Sequence, residues 1–171
     1  MISRALGIGG SQPEIERILI PVDGSSNSNR ALEFAINLAR KCSAEIYLLH
    51  VMSFVPIYLS DLWEPFHSSL PYTYFEESEE EGEDILASAS DKVGDAGIKS
   101  FALLDHGRTA SKIIQTAEEW RIDLIVLGSE NRSLIAKLFL GSVSDEVTHK
   151  APCPVLLVKN KSRKGCVPHE S

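Results

Sequence analysis

The sequence has few cysteines, no long apolar run and no excess of positive charge, and each shortage removes a class of protein. Its three cysteines, Cys42, Cys153 and Cys166, are an odd and widely spaced set. They make neither a disulfide framework nor a CxxC metal or redox pair. Cys42 and Cys153 are expected to be small packed hydrophobes and Cys166 an exposed tail thiol. No apolar stretch approaches the roughly 20 residues that span a bilayer. Residues 1–12 hold one Arg and no apolar core of signal-peptide length. A cytoplasmic protein with no membrane partner is therefore expected. Basic residues number 17 against 24 acidic, a net charge of -7, so there is no chain-wide basic surface for nucleic acid. A GxxxxGKS or GxxxxGKT loop, a GxSxG elbow and an HExxH pair are all missing, so the familiar catalytic signatures name no general base or nucleophile.

What is present is an alternation of short apolar runs and amphipathic stretches. With 43% hydrophobic and 24% charged residues in 171, the chain has the composition of one globular domain with tails. Residues 1–16 read as an N-terminal extension, 17–159 as the domain and 160–171 as a disordered basic tail. The run Arg17-Ile18-Leu19-Ile20-Pro21-Val22 ends in Asp23-Gly24-Ser25 and reads as a strand buried on both faces. Ser25 to Ser28 offer N-cap oxygens to a helix over 30–41. A second strand covers 45–51. Residues 54–75 read as irregular, with three prolines and, after Val55, six of the twelve aromatic residues: Tyr58, Trp63, Phe66, Tyr72, Tyr74 and Phe75. The acidic run 76–84 suits a helix N-terminus, and Ile85, Leu86, Ala89 and Val93 carry that helix on to 94–97. A weaker third strand is expected over 98–104, a turn at Asp105-His106-Gly107, and a third helix capped by Thr109. The fourth strand covers 123–128. A fourth helix runs from about Ser142 to Lys150. The fifth strand is Pro154-Val155-Leu156-Leu157-Val158-Lys159, where Pro154 suits a strand start or a sheet edge. His50 is read as packed and His106 as a turn residue without a partner, since no second ligand stands at metal-site spacing.

Alternating strands and helices imply right-handed crossovers, and hence an α/β fold with a doubly wound five-stranded parallel sheet and helices on both faces. Such sheets bind ligands beyond the C-terminal ends of their strands, which directs attention to 23–25, 51–53 and 128 onward. After the fourth strand come Gly128-Ser129-Glu130-Asn131-Arg132 and then Gly141-Ser142-Val143-Ser144. A glycine at a strand end permits close approach, and a helix opening at Gly141-Ser142 offers free N–H groups to an anion. The plainer reading is that Ser142 caps the helix, with Asp145 completing a capping box.

The stretches ILIPVDGS (18–25), LLHV (48–51) and above all 127–158, ending GSVSDEVTHKAPCPVLLV, resemble the universal stress protein family over about 16–159. The resemblance implies strand order 3-2-1-4-5 and a homodimer through the fifth, edge strand. It also implies ATP as ligand, with any Mg2+ or Mn2+ carried by the phosphates. ATP-binding members carry Gly, two residues, Gly, nine residues, Gly, then Ser or Thr. Here Gly128 and Gly141-Ser142 match, while Asn131 stands at the second glycine; Asn is the side chain most tolerant of a left-handed backbone. Carried over by position, Pro21 and Val22 would line the nucleoside and Asp23 would meet the ribose. Val51 would meet the adenine edge through its backbone. Gly128, Ser129 and Asn131 would wrap ribose and phosphates. Gly141, Ser142, Val143 and Ser144 would hold the phosphates, and Arg132 would add a charge. The expected function is a nucleotide-dependent sensor in the stress response and not a catalyst. The alternatives are an interaction module using the aromatic segment 58–75, or a weak ATP hydrolase.

Overall fold

The structure is a computed structural model and describes residues 15–52, 54–57, 72–75, 79–129 and 142–159. Its elements are β1 (Arg17–Pro21), α1 (Ser26–Cys42), β2 (Glu45–Met52), β3 (Phe54–Ile57), β4 (Tyr72–Phe75), α2 (Glu79–Asp95), β5 (Ser100–His106), α3 (Thr109–Glu119), β6 (Leu124–Ser129), α4 (Ser142–Lys150) and β7 (Val155–Lys159). Five of the strands form one sheet in the order β5-β2-β1-β6-β7, every pairing parallel. Numbered by their turn in the chain, these are strands 3-2-1-4-5, as expected.

The apolar runs are continuous because both faces are covered. Ile18 and Ile20 of β1, Ile46 and Leu48 of β2 and Val126 of β6 pack against Leu32 and Ala35 of α1 and Leu86, Ala89 and Val93 of α2. The alternate residues Leu19, Leu49, Ile125 and Leu127 pack on the other face against Ile113 and Ala117 of α3 and Val147 of α4. The period of two along each strand thus feeds two separate apolar layers. The edge strands β5 and β7 are only partly buried.

Several boundaries differ from expectation. Residues 54–57 and 72–75 form an antiparallel ladder, with Phe54 opposite Phe75 and Ile57 opposite Tyr72; Val55, Ile57, Tyr72 and Thr73 are good strand formers despite Pro56. The third sheet strand runs on through Asp105 and His106, because Val51 and Met52 of β2 continue to pair with them. His106 is not without a partner: its Nε2 lies 3.5 Å from a Glu79 carboxylate oxygen. The cap of α3 is Arg108, with no side-chain cap bond, so Thr109 is the first helical residue and not the cap. Ser142 is the first residue of α4. Cys42 is exposed at the end of α1 and not packed, while Cys153 is half-buried. Among the described residues no helix is long and apolar enough to cross a membrane.

Candidate functional site

The C-terminal ends of β1, β2 and β6 open into a cavity of about 420 Å³, within the roughly 300–1,000 Å³ of small-molecule sites. Its apolar lining comes from Pro21, Val22, Leu49, Val51, Ile113, Leu127 and Val143, and its polar lining from Asp23, Ser25, Asn27, Ser28, His50, Thr109, Gly128 and Ser144. Three helices begin there: α1 after its cap Ser25, α3 at Thr109 and α4 at Ser142, one residue before Val143. A helix start carries partial positive charge and N–H groups without intrahelical partners. Three starts on one cavity make a wall suited to an anion, although no Lys or Arg lines it among the described residues.

The β1–α1 turn is fixed by its own hydrogen bonds. Gly24 adopts φ +71°, a left-handed conformation that suits glycine. The Ser25 hydroxyl accepts from the Ser28 N–H at 3.2 Å, and the Ser25 N–H donates to Asp23 Oδ1 at 2.9 Å. The Asp23 N–H donates to the Ser28 hydroxyl at 3.4 Å. Partial burial pushes the Asp23 carboxyl up. Hydrogen bonds from the Ser25 and Ser28 hydroxyls and from backbone N–H groups outweigh it and hold the group below the usual carboxylate range. Asp23 thus braces the turn through the Ser25 N–H while lining the cavity.

Behind this turn, His50 is buried, and its Nδ1 lies 2.7 Å from the Val22 carbonyl oxygen. A carbonyl only accepts, so Nδ1 carries the proton. The Val22 N–H donates in turn to Leu49 O at 2.8 Å. That bond fixes which side of β2 the backbone of Leu49 faces. Strand alternation turns the N–H and C=O of Val51 to the same side, past the point where β1 leaves the sheet. The Val51 backbone therefore offers a donor and an acceptor side by side toward the cavity.

Gly128 is glycine for a steric reason. A Cβ there would lie 2.4 Å from Asn27 O, 2.5 Å from Asn27 C and 2.9 Å from Ser28 N. The end of β6 and the first turn of α1 meet backbone to backbone. The close approach expected of a ligand is made by the protein itself.

Of the residues expected at the site, Pro21, Val22, Asp23, Val51, Gly128, Val143 and Ser144 line the cavity together. Ser129 does not: it is buried at the end of β6, opposite Lys159 of β7. Ser142 is the first residue of α4, next to the lining residues Val143 and Ser144. Asn131, Arg132 and Gly141 lie outside the described residues, as does the segment 58–71. The expectation passed over Asn27, Ser28, Leu49, His50, Thr109, Ile113 and Leu127. The strand-end rule and the helix starts were the available signals for Asn27, Ser28 and Thr109. Among the described residues, no cluster of three or more His, Cys, Asp or Glu is placed to hold a metal.

Residues 14–159 match the model of the universal stress protein family. The chain belongs to this family. Among relatives, it is 32% identical over 152 residues to universal stress protein MJ0531 of Methanocaldococcus jannaschii, covering 87% of this chain and 85% of that one. It is 33% identical over 147 residues to universal stress protein YxiE of Bacillus subtilis, covering 84% and 98%. Among solved structures, MJ0577 of Methanocaldococcus jannaschii superposes with TM-score 0.65 at 26% identity, over 86% of this chain and 98% of that one. Two universal stress proteins of the same fold were solved with nucleotides. One from Arabidopsis thaliana holds AMP (TM-score 0.59, 23% identity, 87% and 94% covered). One from Archaeoglobus fulgidus holds dAMP (TM-score 0.57, 24% identity, 84% and 98% covered).

Proposed function

We propose that this universal stress protein binds an adenine nucleotide in the cavity at the ends of β1, β2 and β6, with ATP as the physiological ligand. The observation that carries the reading is the convergence of three helix starts and the Val51 backbone on one cavity. Adenine presents an amino donor beside a ring-nitrogen acceptor, the complement of the Val51 C=O and N–H. The apolar side chains of Pro21, Val22 and Val51 suit a purine ring, Asp23 suits a ribose hydroxyl, and the start of α4 suits phosphate. The AMP and dAMP held by two proteins of this fold support the same ligand class. Any divalent ion travels on the phosphates, because Asp23 is the one carboxylate among the described lining residues and it is committed to the β1–α1 turn.

The role we assign is that of a cytoplasmic homodimeric sensor. Nucleotide binding biases a conformation or surface read by another protein, which requires that ATP favour one state energetically. Strand β7, at one end of the sheet, supplies the dimer edge. The 17–159 segment is the binding domain, with Gly141 and Ser142 holding phosphate, and Asn131 and Arg132 completing the loop. The test is thermal unfolding with and without ATP, AMP and GTP. A ligand at 100 times its Kd stabilises by about 2.7 kcal/mol. Val51→Pro removes the N–H offered to the base, which faces away from the β5 pairing, and is expected to abolish the adenine-dependent shift, with circular dichroism of the apo variant showing that the fold is kept. Equal shifts with GTP, or no shift with any nucleotide, overturn the reading.

A further inference from the structure

A second cavity, of about 260 Å³, lies between the start of α1 and the middle of α2, on the opposite side of the β1–α1 turn. It shares only Val22 and Ser28 with the first. Val22, Ile85 and Ala89 form its apolar floor. Asp84, Ser88 and Lys92 follow one another at intervals of four along α2, so they form a single stripe on the rim. Eight residues of helix separate the Cα atoms of Asp84 and Lys92 by about 12 Å. The two residues therefore stand at opposite ends of this stripe. The Lys92 ammonium donates to Asn29 Oδ1 at 2.6 Å, and its other N–H donors remain available.

We propose that this cleft binds a small linear zwitterion, an ω-amino carboxylate. Its carboxylate meets Lys92, its ammonium meets Asp84, and its methylene chain lies over Ile85 and Ala89. A monocation or a monoanion engages one end only. The site also has a route to its neighbour. Asn29 Nδ2 donates to Gly24 O at 3.1 Å and to Ser25 O at 3.0 Å. A ligand that draws Lys92 away from Asn29 therefore acts on the turn holding Asp23 and Ser25. Occupancy of the cleft does not depend on the nucleotide reading.

The test is a titration of the nitrogen-labelled full chain with 5-aminopentanoate, pentanoate and pentylamine, without nucleotide, followed by amide chemical shifts. The expected result is saturable shifts at Gly24, Ser28, Asn29, Ser88 and Lys92 with 5-aminopentanoate, and at least tenfold weaker binding of the other two compounds. Asp84→Asn and Lys92→Gln each weaken 5-aminopentanoate at least tenfold while the rest of the spectrum stays in place. Absence of shifts, equal shifts from a singly charged compound, or indifference to both substitutions overturns the proposal. None of these results bears on ATP binding, which is measured separately.

Discussion

Gly128→Ala separates a glycine kept for a ligand from one kept for the fold. The added Cβ would sit 2.4 Å from Asn27 O, on the order of 1 Å inside ordinary contact. The obstacle is backbone on both sides, so no rotamer change relieves it. Either α1 moves off the sheet at its first turn or the end of β6 shifts. Overpacking of this kind costs about 1–3 kcal/mol. For a domain of this size, about 2 kcal/mol lowers Tm by roughly 5–10 °C. The displacement also carries Asn27 and Ser28 away from the cavity, so nucleotide affinity falls with stability. Scanning calorimetry of the nucleotide-free protein is the assay. An unchanged Tm in the free variant, with only affinity lost, would refute the steric account and return Gly128 to a purely ligand-facing role.

The remaining predictions concern the same turn and loop. Ser25→Ala removes the cap of α1 and is expected to cost about 1 kcal/mol, read from chemical denaturation midpoints. Asp23→Asn loses a carboxylate that the fold holds below its usual range. The wild-type advantage over this variant is therefore full above about pH 4, the unfolded value. It is lost as pH falls through the lower folded value; a margin that grew on acidification would contradict the assignment. His50→Phe strips the buried Val22 carbonyl of its donor and is expected to cost about 1–3 kcal/mol, measured by thermal unfolding. Asn131→Gly restores the family's glycine and is expected to leave ATP affinity within about threefold, because Asn is the side chain that stands in best for glycine where a left-handed backbone is needed; a large gain by calorimetry would show that Asn131 obstructs the phosphates.

The layering was legible because β1, β2 and β6 are buried on both faces and so read as unbroken apolar runs, while Ala31, Leu32 and Ala35 recur at helical spacing. β5 lies two residues later than hydropathy predicts. Its edge position leaves it half-buried, and Asp105 and His106 pair through backbone, which hydropathy does not record. The cap of α3 was misplaced for a related reason. Thr109 looks like a cap, yet Arg108 holds that position while its guanidinium bonds Glu146 of α4, a contact across 38 residues of sequence. At the site, residues next to strand ends, such as Asp23, Val51 and Gly128, followed from topology and family pattern. Ile113 and Leu127 also belong to the core, and nothing in their local sequence marks the core side chains that lie beside a cavity. The role of Gly128 was legible in kind, a close approach, but not in partner, since the backbone of α1 is brought there only by the crossover.

The most direct measurement is a titration of the nitrogen-labelled protein with ATP, following the amides of Ser28, Val51, Thr109, Val143 and Ser144. The account predicts one saturable set of shifts centred on these residues, reproduced by AMP at Val51 and reduced by AMP at Val143 and Ser144, where the proposal puts the added phosphates. Shifts scattered over the surface, or a spectrum unmoved by saturating nucleotide, would contradict it.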